Sequence, residues 1–233
     1  MNFKVASMML AGCIASSSFS FGANAQDGEP AWDFDGFAGA SSDYRDRGLR
    51  LSDGDVSAFA SLAAFHESGF YVGVDGASIE DGFGNDARTE FYAGYSWDDG
   101  TYIYDVSVEL EGIHGKGSEY YPEIKASIAR DFGLAYIKGG MAYATKGRWS
   151  TPGVDSFYNY LDLELPIPMV SSLTLLTHVG YDFRDGKSNL WDWSVGLSTF
   201  VGDNFEISLS YESSSLDQRI GKDGFVLGAK IYF

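Results

Sequence analysis

The chain of 233 residues holds a single cysteine, Cys13, and only five prolines. With its one thiol in the N-terminal leader, the rest of the chain has neither a disulfide framework nor thiolate chemistry. Histidine is nearly as scarce. His66, His114 and His178 are the three present, and no His-x-x-x-His or clustered Cys/His spacing occurs, so no transition-metal site is expected. No cofactor motif occurs either. Positive charge is also in short supply. Sixteen Lys and Arg face 33 Asp and Glu, for a formal net charge of −17, the wrong sign for a nucleic-acid partner. Beyond the leader there is no run of about 18 apolar residues and no helical period of useful length, so a membrane-spanning helix is not encoded.

What is abundant points to sheet. Glycine (29), phenylalanine (17) and tyrosine (15) dominate, a composition that suits β-structure carrying aromatic bands. Residues 1–25 place Lys4 before an apolar stretch and end Ala23-Asn24-Ala25, the pattern of a secretory signal peptide cut after Ala25. Residues 26–31 are then a short lead-in and 32–233 one domain. Leu10-Ala11-Gly12-Cys13 also fits a lipobox, which would make Cys13 the lipidated first residue. Either route takes the chain out of the cytoplasm.

From residue 31 onward, strand-like alternation is punctuated by turn signals. The predicted strands are 31–44, 56–65, 70–79, 89–97, 101–111, 121–129, 134–145, 156–165, 173–181, 191–200, 205–211 and 224–233, about twelve in all. The clearest is the fifth, where Tyr102, Tyr104, Val106, Val108 and Leu110 share one face and Asp105, Ser107 and Glu109 the other. Connections after odd-numbered strands (45–55, 80–87, 112–119, 146–155, 182–189 and 212–223) are long and polar, whereas most others are tight. An even strand number puts both termini at one end. Sorting of loops by parity, with strands of about nine to eleven residues, fits a transmembrane antiparallel up-and-down β-barrel with both termini periplasmic. The last strand supports this, since Phe225, Leu227, Ala229, Ile231 and a terminal Phe233 share one face. That pattern resembles the C-terminal strand by which outer-membrane barrels are recognised by their assembly machinery.

Alternation alone does not say which face is wet; a soluble barrel turns its apolar face inward, a membrane barrel outward. The polar face carries Asp75, Glu90, Asp105, Glu109, Glu123, Lys125, Lys138, Asp162, Glu164, Asp192, Glu206 and Lys230, with small residues such as Gly73, Gly94, Ser107, Ser127, Gly196 and Gly228 between them. The other carries aromatics near strand ends, among them Tyr95, Trp97, Tyr102, Tyr181, Trp191, Trp193 and Tyr211, as interfacial girdles do. With the leader and the loop parity, this favours lipid outside and a lumen lined by the charged residues.

Ser42-Asp43-Tyr44-Arg45-Asp46-Arg47-Gly48 resembles the S-D-Y-x-x-R-G signature of the TorF family of proteobacterial outer-membrane proteins. Ser68-Gly69-Phe70-Tyr71-Val72-Gly73-Val74, Glu90-Phe91-Tyr92-Ala93-Gly94-Tyr95, His178-Val179-Gly180-Tyr181 and the terminal Ile231-Tyr232-Phe233 fit the same family. The resemblance implies an outer-membrane barrel and a proposed pore. It brings no defined substrate and no catalytic residues. Asp46, between two arginines, is an extra acid in the motif.

Three further features have competing readings. His178 with a nearby acid could form part of a lipid-hydrolase triad, but by parity it lies inward with Thr174 and Ser194, away from lipid. The acid-rich stretch 80–86 lacks the full calcium-loop pattern and reads as a solvated loop. Arg45, Arg47 and Arg50 crowd the first long connection near the mouth, where lipopolysaccharide phosphates or Asp43, Asp46, Asp53 and Asp55 are available partners. The expectation is a passive outer-membrane channel for small hydrophilic solutes or ions, surrounded by lipid and lipopolysaccharide. Its inward carboxylates confer weak cation preference. The rival is a structural or binding barrel filled by side chains.

Overall fold

In a computed structural model, residues 31–168, 170 and 172–233 are described. The expected leader, with Cys13 and the expected cleavage after Ala25, lies outside the described residues. Twelve strands are present in the barrel wall: β1 (Trp32–Ser41), β2 (Ser57–His66), β3 (Phe70–Ser78), β4 (Asn85–Asp98), β5 (Ile103–Gly115) and β6 (Ser118–Asp131), then β7 (Tyr136–Ala144), β8 (Ser156–Pro166), β9 (Leu173–Arg184), β10 (Leu190–Val201), β11 (Phe205–Ser214) and β12 (Gly224–Tyr232). Each pairs antiparallel with the next and β12 pairs with β1, closing the barrel. At the seam Phe37 faces Tyr232, and Gly36 and Phe233 exchange backbone hydrogen bonds of 3.1 and 2.9 Å. Closure leaves no unpaired edge. Among the described residues there is no α-helix, only a single 3-10 turn at Arg219–Gly221.

The described ends, near residues 31 and 233, lie at the same rim as the short connections 67–69, 99–102, 132–135 and 202–204; this is the turn rim. The opposite loop rim carries the longer connections. One correction to the expected loop pattern follows from strand length. The predicted loop 112–119 is almost wholly strand, because β5 runs to Gly115 and β6 starts at Ser118. The connection between β8 and β9, on the turn rim, is six residues long, the exception that the expected strand bounds 156–165 and 173–181 already allowed. Period-2 alternation in β5 and β6 had been masked by Gly112, Gly115 and Gly117.

Side-chain burial reverses the usual order. Val108 is 54 % exposed while its neighbour Glu109 is 6 % exposed. The same holds around the barrel, where Val72, Phe91, Ile124, Leu161, Val179, Leu209 and Leu227 face outward. Aromatic contacts edge this apolar band. At the turn rim Trp97 stacks on Tyr104 (5.0 Å) and Phe70 meets Tyr95 (4.9 Å). At the loop rim Tyr181 meets Phe183 (4.7 Å) and Tyr211 meets Phe225 (5.1 Å). An outward apolar belt between two aromatic bands is the surface that a hydrocarbon layer requires of a barrel.

Inside, several tyrosines lie flat across glycines of the neighbouring strand. A Cβ added at Gly73 would sit 2.2 Å from the Tyr92 ring, one at Gly94 2.4 Å from Tyr71, and one at Gly140 2.3 Å from Tyr160. Gly73 and Gly94 therefore do not open onto a wet lumen as their size suggested; they are roofed by aromatic rings.

A lumen entered by its own first loop

Residues 42–56, which connect β1 to β2, turn into the barrel instead of standing at its mouth. Arg45–Asp46 pairs with Leu49–Arg50 as a short antiparallel hairpin. Its two tip residues, Arg47 (φ 49°) and Gly48 (φ 72°), are both left-handed, the geometry of a type I′ turn. Gly48 is needed twice over, since a Cβ there would also meet Ser213 O at 2.7 Å and Asp192 Cβ at 3.0 Å. The tip thus abuts the β10–β11 wall.

Apolar residues hold the hairpin in. Tyr44, Leu49 and the fully buried Leu51 pack with inward Phe59, Ala77, Ile79, Ile113 and Tyr121, together with Trp149 and Ile220 from other loops. Polar contacts fix its base. Asp43 accepts from Arg45 Nε (2.8 Å), Ser52 Oγ (3.2 Å) and the Gly54 amide (3.1 Å), and Arg50 Nε donates to Lys222 O (3.0 Å). The expected place of Arg45 and Arg47 at the mouth is corrected accordingly. Arg45 is 1 % exposed and paired with Asp43, so neither arginine is turned outward toward lipopolysaccharide. The signal for this lay in the sequence: Tyr44, Leu49 and Leu51 are apolar residues inside an otherwise charged connection.

The tip enters a lumen crowded with charge. Arg47 Nη2 donates to Glu123 Oε2 at 2.6 Å, and its guanidinium lies 4.0 Å above the centre of the Tyr158 ring. Asp46 pairs with Arg148, whose guanidinium also lies 3.8 Å from Glu111. Arg88 bridges Glu90 and Glu111, and it donates to the Tyr44 hydroxyl at 3.3 Å. Lys125 pairs with Glu109 and stands 3.6 Å from Glu123. Burial alone would raise the Asp46 carboxyl. The guanidiniums of Arg148 and Arg47 override that and hold it below the ordinary 3.8. Burial also pushes the Tyr44 hydroxyl well above its usual range.

All twelve charged residues that the alternation assigned to the polar face have their side chains on the inner face, the buried Lys138 included. Glu90, Glu123 and Asp192 lie nearer the loop rim, with Asp75, Glu109, Lys125 and Asp162 around the middle. Asp105, Glu164, Glu206 and Lys230 lie nearer the turn rim. They do not form one ring. Asp105 accepts from the Tyr71 hydroxyl (2.7 Å), Glu206 from the Tyr232 hydroxyl (2.6 Å), and Asp162 and Asp192 flank His178 at 2.5 and 2.9 Å. The Tyr158 hydroxyl completes that cluster, 2.8 Å from His178 Nε2. His178 thus faces the lumen between two acids. Asp81, in the acid-rich stretch, caps its own loop by accepting from the amides of Phe83 (2.8 Å) and Asn85 (3.2 Å). Sequence reasoning passed over Arg88, Glu111, Arg148, Tyr158 and Tyr160. Arg148 sits in a loop with no period to expose it, and the two tyrosines read as ordinary strand aromatics.

Between the hairpin tip and the wall from β4 to β11 remains a cavity of about 100 Å³. Arg47, Glu109, Glu123, Tyr158, Tyr160 and His178 are among its lining. This is room for a few water molecules.

A closed antiparallel barrel of twelve strands, apolar outside and charged inside, has the architecture of porins. Its fold matches that of the KdgM porin over 86 % of this chain and 99 % of that one (TM-score 0.57, 11 % identity). KdgM is also known in complex with disordered oligogalacturonate, a structure matched with a TM-score of 0.56 at 10 % identity. The NanC porin matches over 86 % of this chain and 99 % of that one (TM-score 0.55, 10 % identity). No curated protein matches the sequence. Residues 25–228 match the Gcw_chp family, described as a bacterial protein of unknown function, and the chain belongs to that family.

Proposed function

We propose that this chain is an outer-membrane channel for passive diffusion of small hydrophilic solutes, with weak cation preference, held narrow by its first loop. The observation that carries the reading is the reversed sidedness of the wall, in which an outward apolar belt encloses inward carboxylates. Such a barrel is at home in lipid, and its carboxylates favour cations over anions. The residues proposed to line the path are Asp75, Glu90, Asp105, Glu109, Glu123, Lys125, Asp162, Glu164, Asp192, Glu206 and Lys230. We assign the turn rim and both termini to the periplasm, since short turns face that side in outer-membrane barrels.

The porin likeness of the fold and the TorF-like motif at residues 42–48 support this reading. So does the leader at residues 1–25, an export signal. Phe233 is the proposed contact for the barrel-assembly machinery, and the outward belt and loop rim for outer-membrane lipid and lipopolysaccharide. No enzymatic role is assigned to His178, because its cluster faces the lumen and not lipid. One observation favours a second reading. The hairpin and the apolar cluster beneath it fill much of the loop-rim half, as in a barrel that binds or scaffolds without conducting.

Conductance of the refolded protein in a planar bilayer, with a salt gradient to obtain the reversal potential, separates the two. Stable steps with a cation-selective reversal, weakened in Glu109→Gln/Asp162→Asn, support the channel. A folded, heat-modifiable barrel without conductance would refute it and leave the structural or binding role.

A further inference from the structure

The hairpin tip is an odd choice of sequence for its backbone. A type I′ turn takes Asn, Asp or Gly at its first position, because other side chains are strained at positive φ. Arg47 takes that position at φ 49°, so local turn preference does not account for it. Its side chain is instead matched to the opposite wall. Glu123 supplies a carboxylate at 2.6 Å and Tyr158 a ring face at 4.0 Å. A carboxylate beside an aromatic face is the chemistry that recognises a guanidinium. The preceding residue, Asp46, meets a complementary group in Arg148. None of the three wall groups belongs to the hairpin: Glu123 is on β6, Tyr158 on β8 and Arg148 in the loop between β7 and β8.

The fit in cis is incomplete. Arg47 Nη1 and Glu123 Oε1 are buried without a hydrogen-bond partner, although a guanidinium and a carboxylate can join through two parallel bonds. Arg47, tethered at the tip, makes one. An untethered guanidinium is free to rotate into the second. The cavity of about 100 Å³ borders the same residues. Simpler ligands suit the wall less well. A plain anion would meet Glu109, Glu111 and Glu123, and among the described residues no group of three or more His, Cys, Asp or Glu is placed to hold a metal ion.

We propose that this wall is a binding site for a small zwitterion bearing a carboxylate and a guanidinium, and that Asp46 and Arg47 occupy it in place of that ligand. The carboxylate binds Arg148 and the guanidinium binds Glu123 against Tyr158. This deepens the channel reading and rests on it for the route by which solute arrives. A solute of this class competes with the tip, so the loop that narrows the lumen is displaced by what the lumen accepts.

The test uses the full mature chain, with folding monitored by heat-modifiable mobility. Arg47→Gly suits the left-handed backbone and vacates the guanidinium position. Calorimetric titration in detergent with L-arginine, L-glutamate and glucose is run on the parent, on Arg47→Gly and on Arg47→Gly/Glu123→Gln. The expected result is L-arginine binding at least ~10-fold tighter in Arg47→Gly than in the parent, lost again in the double variant. L-glutamate and glucose should bind none of the three. L-arginine binding no better than glucose to folded Arg47→Gly overturns the site, whatever the conductance. Specific L-arginine binding by a barrel that never conducts keeps the site and overturns the channel reading alone.

Discussion

The Tyr71 ring lies across Gly94 on the adjacent strand, and one step along the same ladder Tyr92 lies across Gly73. The two pairs are reciprocal: each strand contributes one ring and one bare backbone, so two large side chains fit flat against the inner wall. Tyr71 then reaches Asp105 through its hydroxyl at 2.7 Å. This packing keeps the turn-rim half of the lumen from being filled by rings pointing at its axis.

Gly73→Val should therefore destabilise the barrel, because its Cβ alone would fall 2.2 Å from the Tyr92 ring. The expected loss is about 1–3 kcal/mol, typical of overpacking, read as a lower denaturant midpoint for the heat-modifiable form. Gly76→Ala, where the nearest atom is 3.8 Å away, should be close to neutral. Equal effects at the two positions would show that the rings do not constrain the wall.

Leu51 is completely buried yet belongs to the connection that carries the hairpin, just after its second strand, and not to the wall. Leu51→Ala should weaken docking of the hairpin by about 2–5 kcal/mol, the usual range for a buried leucine. The barrel itself should survive, since no wall strand loses a ladder bond. Larger or noisier conductance at unchanged heat-modifiability is the expected signature. Unchanged conductance would mean that the hairpin does not limit the path.

Acid should release the hairpin late. The Asp46 carboxyl is held below 3.8 despite burial, because Arg148 and Arg47 stabilise its charge. A depressed folded-state pKa contributes stability that is complete above the unfolded value and lost only as pH falls through the folded one. The rise in conductance that comes from release of Asp46 should hence lie below about pH 4. Asp46→Asn should remove this acid step. A step near pH 6 that persists in Asp46→Asn would assign the latch to another group.

Phe233 lies on the outer face against Gly36, where a Cβ would come within 2.7 Å of its ring, and the side chain is otherwise exposed. Phe233→Ala should cost the refolded barrel little stability. In cells, however, it should lower the amount assembled in the outer membrane several-fold, measured by fractionation. Equal assembly of both forms would remove Phe233 as the recognition element.

Much of the wall was legible because membrane barrels write their two faces directly into alternate residues. Tyr104, Val106, Val108 and Leu110 against Asp105, Ser107 and Glu109 fixed both strand and sidedness once the leader suggested lipid. The strand ends were harder. Gly112, Gly115 and Gly117 read as a loop because glycine is a turn signal, yet ladder bonds continue past the apolar belt, where no hydrophobic period is needed. The hairpin was missed for a different reason. Its tip has Arg where the usual hairpin signal has Asn or Asp, and its charges imply solvent until partners such as Glu123 and Arg148 are known. Those partners are distant in sequence, and alternation reports the face of a residue but not what stands opposite.

The pairing of β1 with β12 has a temporal side. Phe37 meets Tyr232 across the seam, so the wall cannot become a cylinder until nearly the last residue of the chain has arrived. Every other ladder joins neighbours in sequence, whereas the seam must close a loop of almost the full length, at an entropic cost the other ladders do not bear. The hairpin at residues 45–50 follows directly on β1, whereas the groups that hold its tip, Glu123, Arg148 and Tyr158, come much later in the chain. Among the ladders of the wall, this seam alone ties together strands from opposite ends of the chain.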